Sequence, residues 1–153
     1  MNTQPRMLKR PSAAPMQQTT ASNNSGTSAN TLVCELANEL MNARTSIHKL
    51  HLKITGVGSY AAHKSLNELY DALPGHADDL VEQFQGAAET LITIPDSCPR
   101  TLNTKEEGIQ YMRELKIMAT NLQSKMPYSE IVNDLDTIKT TLNSIKYKLM
   151  FLS

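Results

Sequence analysis

Residues 31–73, TLVCELANELMNARTSIHKLHLKITGVGSYAAHKSLNELYDAL, decide the fold of this chain. Apolar residues recur there at alternating steps of three and four, first as Val33, Leu36, Leu40, Ala43, Ile47, Leu50 and Ile54 and then as Ala62, Leu66, Leu69 and Leu73. Such spacing places one apolar stripe along an α-helix. The sequence TGVG at positions 55–58 supplies a turn between the two stripes. The stretch therefore predicts two antiparallel helices, the first capped by Asn30 or Thr31 and the second by Ser59.

The second stripe continues in phase beyond Pro74 and Gly75, through Ala77, Leu80 and Phe84. A proline inside a helix removes one backbone hydrogen bond and bends the helix. Because the phase is kept, we expect one kinked helix here and not two separate helices. Residues 86–102, with Pro95 and Pro99, then predict a long connection.

A second helical pair follows this connection. The sequence TKEE at positions 104–107 is a capping box that opens a third helix, which ends before Pro127, and Ser129 is the expected cap of a fourth. The fourth helix has the most regular stripe of all: Ile131, Leu135, Ile138, Leu142, Ile145, Leu149 and Leu152. Two hairpins joined by one long crossover predict an all-α, ferritin-like four-helix bundle over residues 31–153.

The first thirty residues differ in composition from the rest of the chain. They are rich in Ser, Thr, Asn, Gln and Pro and bury too little apolar surface to offset the entropy of ordering, so residues 1–30 predict a disordered tail. The tail carries Arg6, Lys9 and Arg10, a weak DNA contact that an oligomer would have to multiply.

Charge and cysteine content limit the possible partners and the compartment. Lys plus Arg and Asp plus Glu are equal at 15 each, which argues against a global attraction to nucleic acid or membrane, so no membrane partner is expected. Residues 67–99 nevertheless hold seven acidic residues and no Lys or Arg. Cys34 and Cys98 lack metal-binding spacing, and no stretch is apolar enough to span a bilayer, so a reduced, cytoplasmic-type environment is predicted.

One pattern suggests chemistry: His51, His63, Asn67, Asp78 and Glu82 recur around the first hairpin. Imidazole and carboxylate together suit iron or zinc, although ligand type does not decide between the two metals. His63 and Asp78 are 15 residues apart, or roughly 22 Å along a straight helix, so one chain cannot gather the whole set. Two chains with antiparallel second helices about a two-fold axis would bring them together. The alternative, that these histidines are edge-of-core residues paired with nearby carboxylates, stays open.

The order and spacing of these five residues resemble the Dps-type miniferritins, and SYAAHKSLNELYDAL with VEQFQG resembles small phage-encoded ferritin-like proteins. The resemblance covers most of residues 31–153. It implies a homo-oligomer with inter-subunit ferroxidase-type iron sites at the matching positions His51, His63, Asp78 and Glu82. Asn67 takes the place of a carboxylate, with Asp71 or Glu68 as possible substitutes, and Leu52 the place of the family's usual Trp.

Two functions are compatible with this resemblance. The first is iron binding for sequestration or oxidative protection, with zinc or no metal as the alternatives at the site. The second is a non-enzymatic ferritin-like structural or accessory role in a phage, exercised through the bundle surface and the tail on a virion or host protein. The resemblance places the protein in a host cytoplasm or in a virion, and whether the chain is an enzyme stays open.

Overall fold

Four helices make up the described part of the chain, residues 28–153 of a computed structural model. They are α1 (Ala29–His51), α2 (Ser59–Ala88), α3 (Lys105–Gln123) and α4 (Ser129–Phe151). Within residues 28–153 no strand is formed, so the predicted all-α bundle is confirmed. Residues 1–27, with Arg6, Lys9 and Arg10, lie outside the described residues, and the last residues of the predicted tail belong to the cap and first turn of α1.

Each helix packs against two others, in the pairs α1–α2, α2–α4, α3–α4 and α1–α3. The predicted apolar stripes meet in one core, whose largest fully buried side chains include Phe84, Leu115 and Leu66. Leu152 was wrongly included in the α4 stripe, because it follows the last residue of α4 and is exposed. Residues 89–104 run the length of the bundle. They start at the end of α2, and Leu102 near their other end accepts a hydrogen bond at 3.2 Å from Lys53, which follows α1. The α3 helix therefore starts at the end where α1 stops, and the predicted order of hairpin, crossover and hairpin is confirmed.

The α2 helix is continuous through Pro74, as the unbroken phase predicted. Three expected caps differ from the structure. Ser28 caps α1 by accepting a hydrogen bond from the Thr31 amide at 3.3 Å, so the helix starts earlier than the sequence suggested. Left-handed Gly58 precedes α2, and Tyr128 precedes α4 without a side-chain cap, so Ser59 and Ser129 are first-turn residues.

The capping box of α3 is present in a shifted form. Thr104 accepts a hydrogen bond from the Glu107 amide at 3.1 Å, as the motif requires. The carboxylate of Glu107 accepts from the amide of Asn103, one residue before the cap, at 2.6 Å. The motif therefore fixes the end of the crossover as well as the start of the helix.

A group of polar residues, the crossover clasp, holds the middle of the crossover against α1 and α3. It consists of Arg100, Glu39, Tyr111 and Glu114. The Arg100 guanidinium lies 2.7 Å from the Glu39 carboxylate, also pairs with Glu114, and sits 4.1 Å from the centre of the Tyr111 ring. Asn42 and Ser97 add a second hydrogen-bonded link between α1 and the crossover.

Candidate metal centre at the imidazole cluster

The packing of α1 on α2 brings three histidines and a tyrosine together. This imidazole cluster consists of His48, His51, His63 and Tyr70. His51 is the last residue of α1 and His63 lies in the second turn of α2, and their rings stack with centroids 3.7 Å apart and planes 26° apart. Antiparallel packing of α1 on α2 therefore sets these two imidazoles at one height.

His51 is the most unusual member of the cluster. Its side chain is only 6% exposed, and neither ring nitrogen has a hydrogen-bond partner among the described residues. Burial lowers the pKa of His51, the neighbouring His63 and His48 lower it further, and Asp71 raises it. Leaving a buried polar group without a partner costs about 1–3 kcal/mol. The fold therefore retains a neutral imidazole with a free lone pair.

His63 is oriented by the backbone of α1. Its Nδ1 atom lies 3.3 Å from the carbonyl oxygen of His51, so Nδ1–H is the donor and Nε2 carries the lone pair. A ring N–H given to a backbone carbonyl is the usual way in which a metal-binding histidine is fixed in its tautomer. Nε2 of His63 is therefore the ring atom at which a Lewis acid would bind.

Asn67 is held by two neighbours on its own helix. The Tyr70 hydroxyl donates to Asn67 Oδ1 at 2.9 Å, and Asn67 Nδ2 donates to Asp71 Oδ2 at 2.6 Å. The amide oxygen that would have to act as a ligand is therefore already engaged. The structure ties Asn67 to Asp71, one of the two carboxylates that the sequence offered as a substitute.

Sequence reasoning did not include Tyr70 in the site. Its ring stacks on His48 with centroids 4.3 Å apart and meets the edge of His51 at 5.2 Å. A signal was present, because Tyr70 lies seven residues after His63 and three after Asn67, on the same side of α2. Tyr70 therefore links the histidine rings, which its own ring contacts, to Asn67, to which its hydroxyl donates.

Asp78 and Glu82 lie farther along α2, away from the cluster. Both are exposed, and neither makes a hydrogen bond or ion pair with residues 28–153. Because α2 is continuous, the long separation from His63 stands. Nowhere in residues 28–153 do three or more His, Cys, Asp or Glu side chains converge as a metal site would require. A site built from these positions therefore needs a second chain.

The polar residues of α2 nevertheless form one continuous row, the α2 polar stripe. Successive steps of three or four residues keep its members on one side of the helix: His63, Asn67, Asp71, Pro74, Asp78 and Glu82, of which Pro74 alone is not polar. The imidazole lies at one end of the stripe and the unpaired carboxylates lie at the other. Gly75, exposed near the middle, has no atom within 4 Å of where a Cβ would stand, so another backbone can approach there.

The imidazole and carboxylate groups are donor types that suit a transition metal, but the His51 and His63 rings are not spaced as two ligands of one ion would be. Two imidazoles that bind one ion at ~2.0–2.1 Å and at angles near 90–110° have ring centroids roughly 4.5–5 Å apart. The observed stack is tighter, at 3.7 Å. The two rings would have to separate by about 1 Å to share an ion.

A second group of titratable residues lies between α2 and α4. His76 is half-buried with its Nε2 3.1 Å from the Thr141 hydroxyl, and it lines a cavity of about 90 Å³ with Asp79 and Asp134. Burial lowers the pKa of His76, while both carboxylates raise it. Asp134 has its Oδ2 buried without a hydrogen-bond partner among residues 28–153. His76 is thus an interhelical residue with a partner, unlike His51.

Comparison with known proteins gives one match. A family model described as a family of unknown function, DUF5856, matches residues 51–149. This range starts at His51 and contains every residue of the α2 polar stripe. No curated protein and no solved structure matches the chain.

Proposed function

We propose that this chain, which belongs to the DUF5856 family of unknown function, forms a two-fold homo-oligomer. The oligomer binds a transition metal between its subunits, and iron is the metal we propose. His51 and His63 of one protomer supply nitrogen ligands, and Asp78 and Glu82 of its partner supply oxygen ligands. The observation that carries the proposal is the buried His51 side chain, whose two ring nitrogens are without partners in residues 28–153. The fold keeps this costly group in place, and a metal would satisfy it.

The spacing along α2 supports the two-fold arrangement. An axis midway between His63 and Glu82 passes beside residues 72 and 73, and the same axis sets Asn67 opposite Asp78. Antiparallel α2 stripes then place the imidazole end of each chain against the acidic end of the other. The open surface at Gly75 lies close to the axis.

A miniferritin-like protein binds iron and oxidises it, and the ligand set of this site favours binding over oxidation. Asn67 is neutral and engaged by Tyr70, so the site has one anionic ligand fewer than the pattern it resembles. Lower ligand charge weakens the hold on a hard cation and favours softer nitrogen coordination. Zinc is therefore the competitor against which iron has to be tested.

Complementation between variants tests the proposal. His63→Ala and Glu82→Ala should each abolish metal uptake by the purified full-length chain, measured by Fe²⁺ and Co²⁺ titration with light scattering for mass. A refolded mixture of the two variants should recover about a quarter of the wild-type sites, because each mixed dimer has one intact site. His76→Ala, outside the site, is the control. A metal-free monomer, or uptake that does not depend on Glu82, contradicts the proposal.

The alternative role, a structural or accessory component, is favoured by a different observation. Exposed large apolar residues concentrate at one end of the bundle, and none of them is a ligand of the proposed metal site. A surface of this kind is typical of an interaction site.

A further inference from the structure

One end of the bundle, which we call the lysine end, carries an unusual combination of side chains. It consists of the last turn of α1, the α1–α2 loop, the first turns of α2 and α3, and the last two turns of α4 (residues 49–64, 103–107 and 146–153). Of the ten large apolar residues that are exposed within residues 28–153, seven lie there: Leu52, Val57, Tyr60, Tyr147, Met150, Phe151 and Leu152. Their concentration distinguishes this end from an ordinary surface, on which such residues are scattered singly.

The same segments are basic. They contain six lysines and two acidic residues: Lys49, Lys53, Lys64, Lys105, Lys146 and Lys148, with Glu106 and Glu107. Of the six lysines, only Lys148 forms an ion pair with an Asp or Glu among the described residues, and its partner is Glu68. The overall neutrality of the chain, which argued against a membrane partner, therefore hides a strongly uneven distribution.

The opposite end shows the reverse pattern. Its segments, residues 28–35, 82–92 and 123–132, contain Glu35, Glu82, Glu89 and Glu130 with Lys125 as the one basic residue. Leu91 is the one large apolar residue exposed there within the described chain. Positive charge and apolar surface thus occur together at one end and are both scarce at the other.

We propose that the lysine end docks on an anionic lipid bilayer, with Val57 and its apolar neighbours entering the interface and the lysines contacting the headgroups. Val57 is fully exposed between Gly56 and Gly58, both of which have positive φ, at the tip of the α1–α2 loop. Amphipathic surfaces that combine Lys with Phe, Leu or Tyr bind in this way, by apolar burial together with attraction to anionic lipids.

Other occupants fit less well. A second copy docked by the same end would oppose six lysines to six lysines, and one docked by its acidic end would offer Leu91 alone to cover seven apolar groups. Single-stranded nucleic acid would satisfy the lysines and stack on the aromatic rings, but it has no apolar medium for Val57, Leu52 or Leu152. Of these three occupants, the bilayer alone matches both the positive charge and the apolar surface.

A tryptophan reporter tests insertion directly, because the chain contains no Trp. In the full-length protein, Val57→Trp should shift its emission to the blue and be quenched by brominated acyl chains on vesicles of 70% phosphatidylcholine and 30% phosphatidylglycerol. Ile117→Trp, an exposed site in the middle of α3, should show neither effect. Binding without any change in the Val57→Trp emission overturns the proposal.

Charge variants test the electrostatic part. Lys49→Gln with Lys146→Gln should weaken vesicle binding about 25-fold, since each lysine near an anionic surface contributes about fivefold. The matched control, Arg113→Gln with Lys116→Gln in the middle of α3, should leave binding unchanged. Equal loss in both double variants, no sedimentation with anionic vesicles, or a gel shift of single-stranded DNA without vesicle binding would each overturn the proposal.

Discussion

The crossover clasp and the imidazole cluster both pack polar side chains against α1, but their polar atoms have opposite environments. In the clasp, Arg100 meets two carboxylates and the Tyr111 ring, and the Tyr111 hydroxyl donates to the backbone oxygen of Glu39 at 3.4 Å. In the cluster, rings contact rings, and both nitrogens of His51 are without partners in residues 28–153. Buried polar groups are normally hydrogen-bonded. From this difference we infer that the clasp stabilises the fold, whereas we expect the cluster to bind a ligand.

The largest predicted effect removes the centre of the clasp. Tyr111 is 1% exposed, so Tyr111→Ala should lower the free energy of unfolding by about 3–5 kcal/mol, mostly through the lost packing of the ring. Tyr111→Phe, which removes the hydroxyl alone, should cost about 1 kcal/mol. Urea denaturation followed by circular dichroism measures both. A loss below 1 kcal/mol for the alanine variant would show that the clasp is not a stabilising element.

The next prediction has the opposite sign and concerns the cluster. His51→Phe keeps an aromatic ring in the stack and removes two unpartnered nitrogens, so in the presence of a chelator it should raise the free energy of unfolding by about 1–3 kcal/mol. The same variant should lose metal uptake. His76→Phe is the control, because His76 contacts the Thr141 hydroxyl and its replacement should not stabilise. Destabilisation by His51→Phe would place His51 with the clasp residues.

A smaller effect is expected at Asn67. Asn67→Asp restores an anionic group to the α2 polar stripe and should tighten binding of Fe²⁺ about tenfold. The variant loses the hydrogen bond from Asn67 Nδ2 to Asp71 and sets two carboxylates one turn apart, so the metal-free protein should become slightly less stable. Competition with a chromophoric chelator measures the affinity. Unchanged affinity would mean that this position does not face the ion.

Most of the fold was predictable because helical periodicity is a local signal. The stripe continuing through Pro74 predicted one α2 helix, and the long segment after Gly86 predicted the crossover. Helix starts were less predictable, since Ser28, Asn30 and Thr31 can all cap and only the backbone geometry selects Ser28. The clasp was not predictable, because Arg100 meets Glu39 across 61 positions of sequence, and no periodicity encodes such a contact.

The candidate site was only half predictable. His51 and His63 each lie six residues from Val57, so antiparallel helices bring them together. This spacing does not show that the rings stack or that His51 is without partners in residues 28–153. Tyr70 was not predicted as a site residue, and its bond to Asn67 depends on side-chain rotamers that spacing does not fix. The lysine end was hidden by the neutral total charge, because the separation of charge arises only when α1, α2, α3 and α4 are packed.

The two regions should also respond to different pH ranges. The folded pKa of His51 is lowered from 6.5, so the unfolded state binds more protons just below that value. The free energy of unfolding should therefore have its full value above about pH 6.5 and decrease as the pH falls below 6.5. Urea denaturation between pH 8 and pH 5 with a chelator should show this slope. It should be reduced in His51→Phe, with a remainder from His76, whose pKa is also lowered.

The clasp should lose stability only at lower pH. Its hydrogen bond from Arg100 lowers the pKa of Glu114 from 4.5, so the contribution of this carboxylate is present above about pH 4.5 and is lost as the pH falls through the folded value. Arg100→Gln should reduce this acid-range slope, with a remainder from the Gln110 hydrogen bond to Glu114, and leave the slope near pH 6 unchanged. If Arg100→Gln or His51→Phe altered both the slope near pH 6 and the slope in the acid range, the clasp and the cluster would be energetically coupled through α1. The two groups would then not have separate roles in stability and in ligand binding.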